Sequence, residues 1–160
     1  MAERLGRVGP AVPLPADTPG WASWSDFDYM AIQRRREHPS HDVIARALKR
    51  IIEDTASTAP VIRDVGVLST VTIEKLVDAE VDTSGYVGVD LSGPIIRAAK
   101  ERHPEARWLQ ADLTRLPLRD QSVDVVLVRH VLEHLLDLNA AISEIARVTR
   151  CAAIICFFLP

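Results

Sequence analysis

The chain has 160 residues, a net charge of -3, 48% hydrophobic residues and 26% charged residues. These values are typical of one globular domain with a sizeable core, and they indicate no broad basic surface for a nucleic-acid partner. We find no apolar signal segment and no apolar run of membrane-spanning length, so we expect a cytoplasmic protein without a membrane partner. The two cysteines, Cys151 and Cys156, match no zinc or redox motif, and no metal site is expected.

Three segments follow one another along the chain. Residues 1–24 are rich in proline and glycine and are predicted to form a disordered arm. Residues 25–59 are predicted to form an N-terminal helical cap, because their second half has apolar residues at helical spacing. The aromatic stretch at residues 21–30 has two interpretations, a lid over a ligand or a segment packed on the core. Residues 60–160 are predicted to form an α/β domain.

The α/β prediction depends on short apolar runs that alternate with helical patterns from Pro60 onward, which is typical of βαβ units. Ser92 and Asp137 are candidate N-caps for two of the intervening helices. We therefore predict an open parallel sheet with helices on both faces. The predicted strands span residues 61–65, 86–89, 107–111, 123–128 and 152–159.

Acidic residues stand at the carboxyl ends of three consecutive predicted strands, namely Asp64, Asp90 and Asp112. In open α/β sheets, ligands bind outside the carboxyl ends of the strands. A carboxylate after the second strand can accept hydrogen bonds from both hydroxyls of a ribose, and one after the third can accept from an adenine amine. Each aspartate alone is also common at strand ends and helix caps, but the three in this order predict an adenosine site.

Several segments resemble the motifs of the class I S-adenosylmethionine-dependent methyltransferases, in particular the type 11-like domains. The resemblance implies a Rossmann-like fold with strand order 3-2-1-4-5, S-adenosylmethionine as cofactor and a small-molecule methyl acceptor. It covers residues 60–159 and is most specific from Asp90 to Arg147. The similar segments are residues 61–66, 87–92, 111–113 with 116–117, 123–126 with 132–135, and 145–148.

The resemblance also implies roles for individual residues, which fall into two groups. The acceptor side includes His130, which together with Arg129 would face the transferred methyl group. His130 and His134 are the candidate catalytic bases, since histidine titrates near neutral pH. Alternatively, His134 caps or packs the following helix. The implied cofactor-binding residues are Asp64 and Gly66 at the methionine end, Asp90 at the ribose, Asp112 and Leu113 at the adenine, and also Leu91 and Arg129.

The loop after the first strand departs from the family pattern Gly-x-Gly-x-Gly, because Leu68 and Thr70 replace two of the glycines. Glycine reaches positive φ without strain and lets a ligand approach the backbone. Another residue in that conformation costs roughly 1–2 kcal/mol, and each 1.4 kcal/mol is about tenfold in affinity. The Leu68 side chain also adds bulk, whereas Thr70 could cap the next helix. We therefore expect weakened cofactor binding.

Two further departures concern the C-terminal part of the chain. Residues 150–153 stand where the family usually has a Pro-Gly-Gly turn, and the two additional strands of the family's hairpin do not follow before Pro160. We expect a truncated domain whose last strand is an unprotected apolar edge. Such edges recruit another strand, so we expect a homodimer or a partner at this edge.

Two functions remain open from the sequence. The first is an S-adenosylmethionine-dependent methyltransferase that acts on a small molecule with impaired cofactor binding. The alternative is a catalytically inactive, methyltransferase-like binding or regulatory subunit. A nicotinamide-dinucleotide domain is disfavoured because no Gly-x-Gly-x-x-Gly is present.

Overall fold

The computed structural model describes residues 39–55, 59–68 and 70–157. The predicted arm at residues 1–24 and the aromatic stretch at residues 21–30 lie outside these ranges. The division into arm, cap and α/β domain therefore stays a prediction. Within the described ranges, no helix combines the length and apolar character needed to cross a membrane.

Helices and strands alternate from the first strand onward, as the sequence pattern predicts. Short 3-10 helices at Leu113–Arg115 and Leu132–His134 follow the third and fourth strands. The main elements are α1 (Pro39–Thr55), β1 (Ile62–Val65), α2 (Val71–Asp78), β2 (Tyr86–Asp90), α3 (Gly93–Arg102), β3 (Arg107–Gln110), β4 (Val123–Arg129), α4 (Leu138–Val148) and β5 (Thr149–Cys156).

The five strands form one parallel sheet in the order β3-β2-β1-β4-β5, which confirms the predicted fold class. Apolar residues of α1, α2 and α3 pack on one face of this sheet, and those of α4 pack on the other. Every residue of β1 and β2 is buried, because a parallel sheet covered on both faces has no solvent side.

Gly88 on β2 is in close contact with the side chain of Trp108 on β3. A Cβ atom at Gly88 would lie 2.3 Å from the Trp108 ring and 2.9 Å from a methyl group of Val67. The Trp108 ring also meets Tyr86 edge-on, with ring centroids 6.0 Å apart. The Trp108 indole therefore occupies the space that a side chain at position 88 would need.

Two of the three helix starts considered in the sequence have the expected cap. Ser92 Oγ accepts a hydrogen bond from the Ile95 N–H at 3.4 Å, and Asp137 accepts from the Ala140 N–H at 2.9 Å. The expected cap by Thr70 is wrong, because its side chain makes no capping bond to α2. Its backbone is left-handed, with φ of 54°.

The last strand begins earlier than predicted. The prediction placed it at residues 152–159, whereas β5 spans Thr149–Cys156 and follows α4 without an intervening turn. Thr149 closes the helix, since its hydroxyl donates to the Ile145 carbonyl oxygen at 2.6 Å, and its backbone is already paired with Val123. The missing Pro-Gly-Gly turn therefore leaves the helix and the strand directly joined.

The outer edge of the sheet at β5 has no strand neighbour among the described residues. Ile154 and Ile155 on this strand are only half-buried, and Phe157, which follows it, is 49% exposed. Self-association through this edge, which the sequence led us to expect, stays a prediction.

A positive charge introduced on β5 should weaken the predicted self-association of the chain. Ala153 is exposed on β5, so Ala153→Lys should leave the fold intact and weaken self-association at least tenfold. The measurement is sedimentation velocity over a hundredfold concentration range. Ala146→Lys, at an exposed position of α4, is the matched control and should associate like the unchanged chain. If the unchanged chain sedimented as a monomer over the whole concentration range, the result would contradict the prediction.

Candidate functional site

The carboxyl ends of the parallel strands meet at one edge of the sheet, as the strand order requires. We call this region the strand-end site and define it by residues 64–68, 70, 90–92, 111–113 and 129–134. It contains all of the site residues predicted from the sequence. They come from the ends of β1, β2, β3 and β4 and from the connections that follow these strands.

The loop after β1 is a tight left-handed turn. Gly66, Leu68 and Thr70 have φ values of 81°, 33° and 54°. The Gly66 N–H donates to the Val89 carbonyl oxygen at 2.7 Å, which attaches the loop to β2. The positions at which the family has glycine therefore keep positive φ here, although two of them carry side chains.

The two side chains that replace glycine lie in different surroundings. Leu68 is partly buried and packs against the core cluster on the face of α1, α2 and α3. Thr70 is 5% exposed, and its Oγ1 has no hydrogen-bond partner among the described residues. The loop therefore encloses a hydroxyl group whose hydrogen-bonding capacity the described residues do not use.

Asp90 ends β2 and connects two backbone segments. Its Oδ1 accepts from the Ser92 N–H at 2.9 Å, and its Oδ2 accepts from the Leu68 N–H at 3.3 Å. Burial raises the pKa of this carboxyl to about 6, although the hydrogen bonds from the backbone of Ser92 and Leu68 oppose the shift. Each carboxylate oxygen has lone pairs left for a further hydrogen bond, and the contact of Asp90 with ribose hydroxyls stays a prediction.

Asp64 does not end its strand, which corrects the sequence prediction. It is the third residue of β1, faces the same side of the sheet as its register partner Gly88, and is buried. The Tyr86 hydroxyl donates to its Oδ2 at 2.8 Å. Burial raises the pKa of Asp64, while hydrogen bonds from Tyr86 and Thr72 and the positive charge of Arg129 oppose that shift. Its contact with a methionine moiety stays a prediction.

The segment after β3 is held close to the end of β2. The Ala111 N–H donates to the Asp90 carbonyl oxygen at 3.0 Å, and the Gln110 side-chain amide donates to the Leu91 carbonyl oxygen at 3.0 Å. Asp112 Oδ1 accepts from both the N–H and the hydroxyl of Thr114, at 2.8 Å each. The predicted adenine-binding residue is therefore at the expected edge, with one oxygen committed to the local turn.

Leu113, the predicted apolar wall for adenine, is 5% exposed. It belongs to the core cluster beneath α4 rather than to an open surface. Its predicted role and that of Leu91 stay predictions.

The segment after β4 carries the predicted acceptor-side residues. Arg129 ends β4, and its charge opposes the rise in the pKa of Asp64, which indicates that the two groups are near each other. His130 has φ of 55°, donates its N–H to the Cys156 carbonyl oxygen at 2.9 Å, and has Nδ1 3.5 Å from Glu133 Oε1. His134 ends a 3-10 helix and is exposed.

Two residues of this region were missed by the sequence analysis. Tyr86 binds Asp64 across the sheet, which the alternation of side chains along aligned strands could have indicated. Val131 covers Gly66, since a Cβ atom there would lie 2.1 Å from its Cγ2. No sequence signal predicts that contact, because it depends on how the segment after β4 folds over the loop.

A family profile described as a methyltransferase domain matches residues 64–157, more than half of the chain. The chain belongs to this methyltransferase family. The family implies S-adenosylmethionine as cofactor, in agreement with the sequence motifs. The match begins at Asp64 and extends through β5.

Relatives from bacteria give the same result. The chain is 26% identical over 138 residues to a trans-aconitate 2-methyltransferase of Azoarcus sp., which covers 86% of this chain and 51% of the relative. It is 33% identical over 61 residues to a ubiquinone/menaquinone biosynthesis C-methyltransferase of Campylobacter jejuni, which covers 38% of this chain and 26% of the relative. The chain thus spans about half or less of the length of these relatives.

A solved structure supports the fold alone. A SAM-dependent methyltransferase from Aquifex aeolicus superposes with a TM-score of 0.57 at 16% identity, over 78% of this chain and 69% of that one.

The buried carboxyls of this methyltransferase domain predict an unusual pH dependence of stability. The pKa of Asp90 is raised to about 6, so the folded chain binds more protons than the unfolded chain between about pH 4 and pH 6, and the raised pKa of Asp64 acts in the same direction. The free energy of unfolding should therefore fall as the pH rises through this window, with up to about 3 kcal/mol from Asp90.

Denaturant unfolding at pH 4.0 to 7.0, at steps of about half a pH unit, measures this slope. Asp90→Asn should be less stable at pH 4, because an amide replaces one acceptor oxygen, but its slope should be clearly flatter. Asp54→Asn, at an exposed position of α1, is the control and should keep the slope of the unchanged chain. A stability that rises through this window would contradict the prediction.

The hydroxyl of Tyr86 should stabilise the fold through Asp64. Tyr86→Phe removes a donor from a buried carboxylate and should cost about 1–3 kcal/mol. The loss should increase with pH, here compared at pH 4.5 and pH 8, because the pKa of Asp64 is raised and the ionised carboxylate needs the donor more than the protonated acid does. Denaturant unfolding at both pH values measures it, and an equal loss would indicate that only the packing of the ring had changed.

Proposed function

We propose that this chain is an S-adenosylmethionine-dependent methyltransferase that acts on a small molecule and binds its cofactor weakly. The single observation that carries the proposal is Asp90, a buried carboxylate at the end of β2 that holds the loop after β1 in place through the Leu68 N–H. Membership of the methyltransferase family and the sheet order support it.

The strand-end site offers polar groups that fit this cofactor. Asp90 would accept the ribose hydroxyls with the lone pairs that its backbone donors leave over. The Thr70 Oγ1 is buried and has no partner in the described part of the chain, so it would donate to the carboxylate end of the methionine moiety. Asp112 would accept from the adenine amine with its second oxygen.

When bound, S-adenosylmethionine supplies a methyl group that its sulfonium already activates. The chain therefore has to align the acceptor and exclude water, and a base helps only when the acceptor is a hydroxyl. His130 suits that role better than His134, because His130 is half-buried beside Arg129 whereas His134 is exposed. The Glu133 carboxylate near Nδ1 would orient the ring and favour its protonated form after proton transfer.

The acceptor class is taken from the relatives. Those named above act on trans-aconitate and in ubiquinone or menaquinone biosynthesis, so a small organic acceptor supports the proposal best. The chain covers 51% and 26% of those two relatives, and we therefore propose the acceptor no more narrowly than a small molecule.

The alternative is a catalytically inactive, methyltransferase-like binding or regulatory subunit. The specific observation in its favour is the loop, in which Leu68 and Thr70 replace glycine at positive φ. The left-handed strain is present without any ligand, so it reduces the stability of the fold rather than the affinity. The reduction in affinity would come instead from the bulk of the Leu68 side chain.

Two substitutions at position 68 separate strain from bulk. Both Leu68→Ala and Leu68→Gly remove the side chain that would crowd the cofactor, so both should tighten S-adenosylmethionine binding by about tenfold. Only glycine relieves the left-handed strain, so the glycine variant should be more stable than the alanine variant by about 1 kcal/mol. Calorimetric titration and denaturant unfolding measure the two effects.

Asp90→Ala is the control and should abolish binding in the Leu68→Gly background. If neither the unchanged chain nor the two variants produced any heat or thermal shift with S-adenosylmethionine or S-adenosylhomocysteine, the result would reject the enzyme and favour the regulatory subunit.

A further inference from the structure

A buried arginine lies at the opposite edge of the sheet from the strand-end site. Arg63 is the second residue of β1 and is 8% exposed. Its guanidinium points to the amino ends of the strands, where Nη1 donates to the carbonyl oxygens of Ile62 at 2.8 Å and Gly85 at 3.1 Å. Arg63 lies within residues 61–66, the first segment that resembles the family, but the resemblance implies no role for it and the proposed methyl transfer does not use it.

The hydrogen bonds of Arg63 leave one edge of its guanidinium without a hydrogen-bond partner among the described residues. Both bonds come from Nη1, and the buried Nε has no hydrogen-bond partner among the described residues. A guanidinium carries five N–H donors, and its Nε and Nη2 form an edge that binds a carboxylate or phosphate with two parallel hydrogen bonds. This edge is thus the one that recognises an oxyanion.

A second guanidinium lies on the same face. Arg63 and Arg107 are both register partners of Val87, so their side chains project to the same side, two strand spacings or roughly 10 Å apart at Cα. Burial first, and the positive charge of Arg107 second, lower the pKa of Arg63 to about 10. Arg63 is therefore still charged at neutral pH, and the charge of Arg107 repels it.

The carboxylates of the segments next to Arg63 bind other groups. Asp124 on β4 accepts from the Val61 N–H at 2.9 Å and pairs with Arg150. Asp82, in the loop before β2, accepts from the Ser84 N–H at 2.9 Å and is exposed. Within the described ranges, no acidic side chain forms an ion pair with Arg63 or Arg107. A buried charge without a counter-ion is costly, so an anion at this place would be stabilising.

We propose that Arg63 and Arg107 form a binding site for one oxyanion group, a phosphate or a carboxylate, at the amino ends of β1 and β3. Arg63 binds the oxyanion in a two-point contact, and Arg107 adds a second positive charge from the exposed side. The small exposed fraction of Arg63 limits the site to a single group of a small molecule. The site is separate from the strand-end site, because the strands themselves lie between them.

Thermal unfolding of the full 160-residue chain at pH 7.5 tests this site. Sodium phosphate and sodium acetate are titrated separately, each against sodium chloride at matched ionic strength. A ligand that binds only the folded chain raises its midpoint with a saturating dependence on concentration. We expect this rise with at least one of the two anions, and the anion that produces it identifies the chemistry of the group.

Three variants identify the residues responsible. Arg107 is exposed, so Arg107→Gln should fold normally. It should bind the anion that stabilises the unchanged chain at least tenfold more weakly. Arg63→Met should lose the rise entirely, and if it fails to fold, Arg107→Gln decides alone. Arg97→Gln, at an exposed position of α3, should behave like the unchanged chain. No saturating rise in the unchanged chain, or an equal rise in Arg107→Gln, would overturn the proposal.

Discussion

The two hydrogen bonds that the Asp90 carboxylate accepts determine the shape of the strand-end site. One comes from the loop after β1 and the other from the start of α3, so a single side chain joins two connections that are more than twenty residues apart. The left-handed turn at Leu68 directs its N–H to this carboxylate. A loop of this kind needs an acceptor beneath it, and the burial of Asp90 makes that acceptor both strong and expensive to ionise.

The central strand carries two buried charges of opposite sign next to each other. Arg63 and Asp64 project to opposite faces of β1, because consecutive side chains of a strand alternate. They therefore cannot neutralise each other, and each depends on its own surroundings. Tyr86 and Thr72 donate hydrogen bonds to Asp64, while backbone carbonyl oxygens accept hydrogen bonds from Arg63. Two neighbouring residues of the same strand therefore place one charged group on each face of the sheet.

The sequence was sufficient to predict the sheet and its order. Alternating patterns located every strand to within a few residues, and the motif resemblance supplied the order that the structure confirms. The start of β5 was not predictable, because it depends on Thr149 closing α4 and pairing with Val123 at once. Local pattern contains no information about a residue that ends one element and begins the next.

The site was predictable in its location and less so in its contacts. The aspartates near the ends of β1, β2 and β3 were identified correctly as residues of one edge. The burial of Asp64 under Tyr86 and of Leu113 in the core required the three-dimensional packing, since the sequence shows which edge a residue is on but not how deeply it lies. The left-handed turn was expected from the position of the missing glycines.

The indole of Trp108 fills the space beside Gly88, so the residue sizes allowed at these two positions, twenty residues apart, depend on each other. Any side chain at position 88 would displace the ring, and any smaller residue at position 108 would leave a void against Val67 in the turn above. Among homologous chains the two positions should therefore change together, with a larger residue at 88 paired with a smaller one at 108. This covariation would persist even in members that have lost every catalytic group, because it records packing and not chemistry.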